Sequence, residues 1–169
     1  LLVKAGSGAL TFGNPSSAGV PPEVVAHTLV QDFNVAEQIK ETFARMGEKI
    51  ACVIIEPVAG NMNFVAPKPG YLQTLRELCT KYGAVLIFDE VITGFRWSPG
   101  GKQALLGITP DMTTMAKIVA GGMPGGAIGG RAEIMRLLDP TQEVDGFKPP
   151  IIHRGTFNAS PIISAVAVA

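Results

Sequence analysis

Two side chains have the types and the setting to act as reagents. Lys117 lies in TTMAKIVAGGMPGGAIGG, residues 113–130, an otherwise uncharged stretch with six glycines among residues 121–130. Asp89 closes the apolar run 85–88. A lysine held where water is scarce loses proton affinity, and its neutral amine can attack a carbonyl to form a Schiff base. A carboxylate at the end of an apolar strand has little water around it and needs a cation or several donors to stay charged. Lys117 follows Asp89 by 28 residues, room for one crossover and the next strand, so the two can converge on one pocket. Taken singly, each has a plainer reading: Lys117 as a lysine snorkelling from a strand end, Asp89 as the cap of the next segment.

The glycines after the lysine let backbone approach closely, which suits a bulky planar guest. Pyridoxal phosphate is such a guest. Its aldehyde takes a lysine, and its ring nitrogen needs an acidic partner to remain protonated. Asp89 would supply that charge.

Such a pair must be positioned by regular elements, and the hydrophobic pattern supplies them. Residues 34–46 carry apolar positions at helical spacing with Asn34 placed as cap. The run 50–58, IACVIIEPV, reads as a strand buried on both faces. A helix over 70–82 ends at Gly83, suited to a left-handed cap. AVLIFDE, 84–90, reads as another buried strand, followed by a short helix around 101–106, DMTTMAK, the apolar segment 126–131 and a helix at 132–138. Strands alternating with helices imply parallel pairing through crossover helices: an α/β chain with a three-layer α/β/α, mostly parallel sheet. In such sheets ligands gather at the carboxyl ends of the strands, here residues 56–61, Asp89 with Glu90, and Lys117. Residues 5–22, with four glycines and four prolines or asparagines, read as a mobile surface loop.

The composition narrows the partners. With 47% hydrophobic and 17% charged residues the 169-residue chain can bury a core. Fourteen basic and fourteen acidic side chains cancel, so no overall field favours nucleic acid or an anionic membrane, and a small-molecule partner is expected. No apolar run reaches the roughly 18 residues of a membrane span, and the expectation is a cytoplasmic chain with Cys52 and Cys79 reduced. Asp-Glu after an apolar strand also resembles the metal-holding strand of a nucleotide hydrolase. The phosphate loop that this would require is absent: residues 100–103, GGKQ, lack its first glycine and its hydroxyl, and Gly6 and Gly8 are followed by Thr11 where a dinucleotide loop has its third glycine. The chain begins with Leu and its last nine residues, PIISAVAVA, read as part of a helix, so it is expected to be an internal piece of a longer protein.

Several segments together carry a likeness. DEVITGFR (89–96), TPDMTTMAK (109–117), GGMPGGAIGGR (121–131) and GTFNASP (155–161) resemble the class III, fold type I pyridoxal phosphate aminotransferases. EPVAGNMN (56–63) and VKAGSGALTFGNPSSAGVP (3–21) are similar to the branch containing glutamate-1-semialdehyde 2,1-aminomutase. The likeness covers nearly the whole chain; only 140–153 departs, being longer than that branch would have. It implies that Lys117 binds the cofactor as a Schiff base and shuttles the proton, that Asp89 pairs with the ring nitrogen, and that Val91 packs on the ring face. Ile92 stands where many relatives have a glutamine that holds the ring hydroxyl, so that role passes to Asn61. Thr156 would reach the cofactor phosphate of the other subunit of a homodimer, and Ser7 would belong to a gating loop over 5–22. No metal is implied.

On this resemblance the chain is part of the large, cofactor-binding domain, with the N-terminal segment, the phosphate-binding loop and the C-terminal small domain outside it. Weak cofactor binding and little turnover are expected of the chain alone. The resemblance implies conversion of glutamate-1-semialdehyde to 5-aminolevulinate, a step of tetrapyrrole biosynthesis. Two alternatives remain open: transamination between an amine or β-amino acid and a keto acid, toward which RGTFNASP leans, and a non-catalytic folded module with Lys117 and Asp89 as a buried ion pair.

Overall fold

The computed structural model describes residues 27–148 and 151–169, which fall in two compact units divided after Ala84. In the first unit, helix α1 (Ala36–Met46) runs into a 3-10 turn, Gly47–Lys49, and leads to strand β1 (Cys52–Ile55). A second 3-10 turn, Gly60–Met62, precedes helix α2 (Tyr71–Tyr82). α1 buries Ile39, Thr42 and Phe43; α2 buries Tyr71, Leu72, Leu75 and Cys79, positions spaced three and four apart as a helix face requires. The Phe43 and Tyr82 rings pack at 5.5 Å between centroids.

The ends of these elements test the sequence reading. Gly83 has φ 72° and closes α2 as the left-handed cap expected of it. Asn34 does not cap α1. It lies two residues before the helix at φ 69°, and its side-chain amide donates to the Ala66 carbonyl at 2.8 Å while its oxygen accepts from the Lys68 N–H at 2.7 Å. An asparagine tolerates the left-handed region and carries both a donor and an acceptor, so it serves better as a staple across the loop 66–68. β1 is shorter than the apolar run 50–58 and is not buried on both faces: Cys52 and Ile54 are exposed. The apolar burial of this unit goes instead into the faces of α1 and α2, and into Val58 and Ala59 just past the strand.

The second unit is an α/β layer. Strand β2 (Val85–Asp89), helix α3 (Gly101–Leu106) and strand β3 (Met112–Ala116) form a crossover unit, with β2 and β3 parallel in the register Ile87 to Met112, Phe88 to Thr113 and Asp89 to Thr114. Leu86 and Phe88 are completely buried. After a 3-10 turn, Lys117–Ala120, strand β4 (Gly126–Gly130) pairs with β3 antiparallel, from Met112 with Gly130 to Ala116 with Gly126. The mostly parallel sheet expected from the sequence thus includes one antiparallel pair: the nine residues 117–125 are fewer than the dozen or more that a parallel crossover needs, so the chain turns back. Helix α4 (Ala132–Met135), a 3-10 turn at Arg136–Leu138 and helix α5 (Pro161–Val168) follow.

The glycines after Lys117 are largely taken up by this packing. A Cβ on Gly126 would stand 2.9 Å from the Met115 carbonyl oxygen, and one on Gly130 2.7 Å from that of Asp111. Gly121, at φ 59°, backs on Val166 of α5. The close approach they permit is between parts of the chain itself.

Candidate active site

The register of β2 and β3 places two of the expected residues at one end of the parallel pair. Asp89 is the last residue of β2, and Lys117 comes one residue after the end of β3. Asp89 is half-buried. Its Oδ1 accepts the Val91 N–H at 3.0 Å, the turn-capping bond that the plainer reading anticipates, and faces the Thr114 hydroxyl at 3.4 Å. Oδ2 has no partner among the described residues, so one oxygen is fixed and the other is open to a donor.

Lys117 is exposed, against the expectation of a lysine deprived of water, and among the described residues its amine has neither a hydrogen-bond nor an ion partner. It does not form an ion pair with Asp89. Its backbone is unusual: φ is 53°, in the left-handed region that disfavours side chains. A strained backbone persists only where its surroundings over-determine it, and such residues cluster at functional sites. Here the β3–β4 pairing up to Ala116 and the following 3-10 turn fix the conformation.

The acid next to Asp89 has the opposite character. Glu90 is buried, and its carboxylate accepts four bonds: Oε2 from the Thr93 hydroxyl at 2.8 Å and the Lys102 N–H at 2.6 Å, Oε1 from the Gln103 N–H at 3.0 Å and the Gln103 side-chain amide at 3.1 Å. The same amide nitrogen reaches the Thr113 hydroxyl at 3.1 Å. Asp111, also buried, ties down the other end of the strands. Its Oδ2 accepts the Leu86 N–H at 2.7 Å, and its Oδ1 pairs with the Arg131 guanidinium at 3.0 Å. That bond to Asp111, with help from Glu133, holds the Arg131 pKa above the usual arginine range.

Of the remaining expected residues, Val91 is half-buried in the turn after β2, and Thr156 is exposed in the turn before α5. Asn61, exposed in the first unit, donates from Nδ2 to Glu56 Oε1 at 3.1 Å, while Glu56 Oε2 accepts the Gly60 N–H at 2.6 Å. Ser7 and the loop 5–22 lie outside the described residues. In the sequence Glu90 stands out only as a strand-end acid, and Asp111, Thr114 and Gln103 do not stand out; two consecutive threonines within a strand, which must face opposite sides, are the available signal.

The family model for class III aminotransferases matches residues 8–169. The chain belongs to that family. Among class III relatives, a glutamate-1-semialdehyde 2,1-aminomutase of Bordetella avium is 57% identical over all of this chain, which covers 38% of that protein. The chain therefore spans about two fifths of the length of this curated relative. An omega-transaminase from Sphaerobacter thermophilus matches in structure with a TM-score of 0.83 at 40% identity, over 91% of this chain and 34% of that one. A glutamate-1-semialdehyde aminomutase from Pseudomonas aeruginosa matches with a TM-score of 0.62 at 29% identity, over 77% of this chain and 30% of its own. These likenesses show the α/β fold of the large domain of fold type I transferases. No helix among the described residues is long and apolar enough to cross a membrane.

Proposed function

We propose that this chain is part of the cofactor-binding domain of a pyridoxal phosphate enzyme that converts glutamate-1-semialdehyde to 5-aminolevulinate. The observation that carries the reading is the 57% identity to an aminomutase over the whole chain. The geometry at the ends of β2 and β3 fits the cofactor: Asp89 keeps one carboxylate oxygen open at the carboxyl end of β2, and Lys117 presents an unpaired amine one residue beyond the neighbouring strand. When bound, the cofactor draws electrons from the carbon next to the substrate nitrogen.

The chain's own residues then have distinct tasks. Asp89 Oδ2 would accept the ring N–H of the cofactor and keep that proton in place. Its Oδ1, fixed by Val91 N–H and Thr114, prevents the carboxylate from rotating away. Lys117 Nζ would hold the cofactor and, once released from it, would carry a proton to and from the substrate. On the resemblance we assign Val91 to the ring face, Asn61 to the ring hydroxyl, Thr156 to the phosphate across a homodimer and Ser7 to a gating loop over 5–22. The resemblance likewise supports a cytoplasmic enzyme.

The test is to load the full-length protein with pyridoxal phosphate, reduce with borohydride and map the modified residue by mass spectrometry. A single adduct at Lys117 is expected; labelling that spares it would sink the proposal. A second reading, intermolecular transamination, is favoured by the omega-transaminase, which resembles this chain more closely than the Pseudomonas aeruginosa aminomutase does. An aminomutase converts its substrate without an added keto acid, whereas a transaminase stalls.

A further inference from the structure

The two adjacent acids face two adjacent threonines. Successive strand residues point to opposite faces, so Thr113 and Thr114 cannot serve the same side of the sheet. Thr114 meets Asp89, and Thr113 meets Gln103, which is bonded to Glu90. The faces are joined through the backbone, because the Glu90 N–H donates to the Thr114 carbonyl at 2.9 Å. Whatever holds Glu90 therefore also holds the residue that steadies Asp89.

Glu90 is held unusually firmly. Besides its four donors, two glycines make room for it. A Cβ on Gly101, at φ 69°, would stand 2.6 Å from Glu90 Oε2, and one on Gly94 would stand 2.8 Å from the Glu90 carbonyl oxygen. The Gly94 N–H also donates to that carbonyl, at 2.7 Å. A buried charge kept only for stability has no need of a neighbour at the candidate active site, since apolar replacements of buried ionic groups are often neutral or stabilising.

We propose that Glu90, acting with Gln103 and Thr113, is a positioning residue for Asp89: it locks the carboxyl ends of β2 and β3 so that the Asp89 carboxylate meets the cofactor ring nitrogen at a fixed angle. This rests on the function proposed above. Neighbours that orient a ligand commonly change affinity or activity by tenfold or more when altered. Glu90→Gln keeps the shape but places an amide N–H among donors, so the lock opens.

The experiment uses the full-length protein with pyridoxal phosphate and compares wild type, Glu90→Gln, Asp89→Asn and the double variant, reading cofactor dissociation constant and visible absorption band. Glu90→Gln is expected to weaken cofactor binding about tenfold and to move the band toward that of Asp89→Asn. In the Asp89→Asn background it should add less than about twofold, because the group it positions is gone. A variant that melts earlier yet keeps wild-type affinity and band overturns the inference, as does an equal loss in both backgrounds. If Glu90→Gln does not fold, Thr113→Val, which removes only the acceptor for Gln103, is judged by the same criteria. A wild type without an adduct at Lys117 overturns both proposals; one that carries it while the variants behave as wild type overturns this one alone.

Discussion

Lys117 keeps its backbone at φ 53°, where a residue with a Cβ is about 1–2 kcal/mol less stable than in the ordinary helical region. Glycine has no such penalty. Lys117→Gly should therefore be more stable than Lys117→Ala by about 1 kcal/mol in urea denaturation, although both lose the amine and with it the cofactor adduct. Equal stabilities would show that the backbone there is relaxed. For Asp89→Asn, the expected result is a fall of at least about a hundredfold in turnover of the full-length enzyme, the scale seen when a preorganised charge is removed from a reacting centre, measured at saturating pyridoxal phosphate. The positions of both residues were legible, because an apolar run ending in an acid and a lysine one crossover later map onto neighbouring strand ends. Their surroundings were not. A linear pattern says where a strand stops, but the exposure of Lys117 and the split duties of the two Asp89 oxygens depend on what lies across the sheet.

The elements around the site are tied by buried polar bonds that make sharp predictions. Removing the Asp111 side chain leaves the Leu86 N–H at the start of β2 without its acceptor, and an orphaned buried donor costs about 1–3 kcal/mol. Asp111→Ala should show a loss of that size in chemical denaturation, whereas Arg131→Ala, at an exposed guanidinium, should cost less. Gly101→Ala should be comparably harmful, since it combines a left-handed φ of 69° with a Cβ driven into Glu90; a neutral result would mean that α3 can start elsewhere. In the first unit, burial raises the Tyr71 hydroxyl pKa above its ordinary 10.0, against a lowering by the Asn34 backbone. The folded chain then keeps a proton that the unfolded chain gives up first. This contribution is whole below pH 10 and is lost as pH rises from there through the folded value, so the stability of wild type relative to Tyr71→Phe should hold up to about pH 10 and fall above it. Local signals identified α2 and its Gly83 cap, α3 and β2 well. They failed at Asn34, whose partners lie more than thirty residues away at Ala66 and Lys68, and they left the direction of β4 open, since loop length rather than strand character decides it.

Across the whole chain the charges balance at fourteen of each sign. A protein without net charge lacks the repulsion that keeps copies apart, so light scattering at low salt should show self-association greatest near neutral pH and falling on either side. The paired threonines have a consequence of their own for how this chain can change length. Because Asp89 and Glu90 find their partners on opposite faces of β3, the arrangement works as a parity check. Losing or gaining one residue within β3 before Thr113 would exchange the faces, leaving one acid facing the wrong threonine and the other facing none, while a two-residue change would restore the phase. Relatives of this chain should therefore tolerate variable loops on either side of β3 but keep the count between Asp111 and Lys117 odd, as the five residues 112–116 are here, and a library of single-codon deletions there should be depleted far more than one in the turn 139–148.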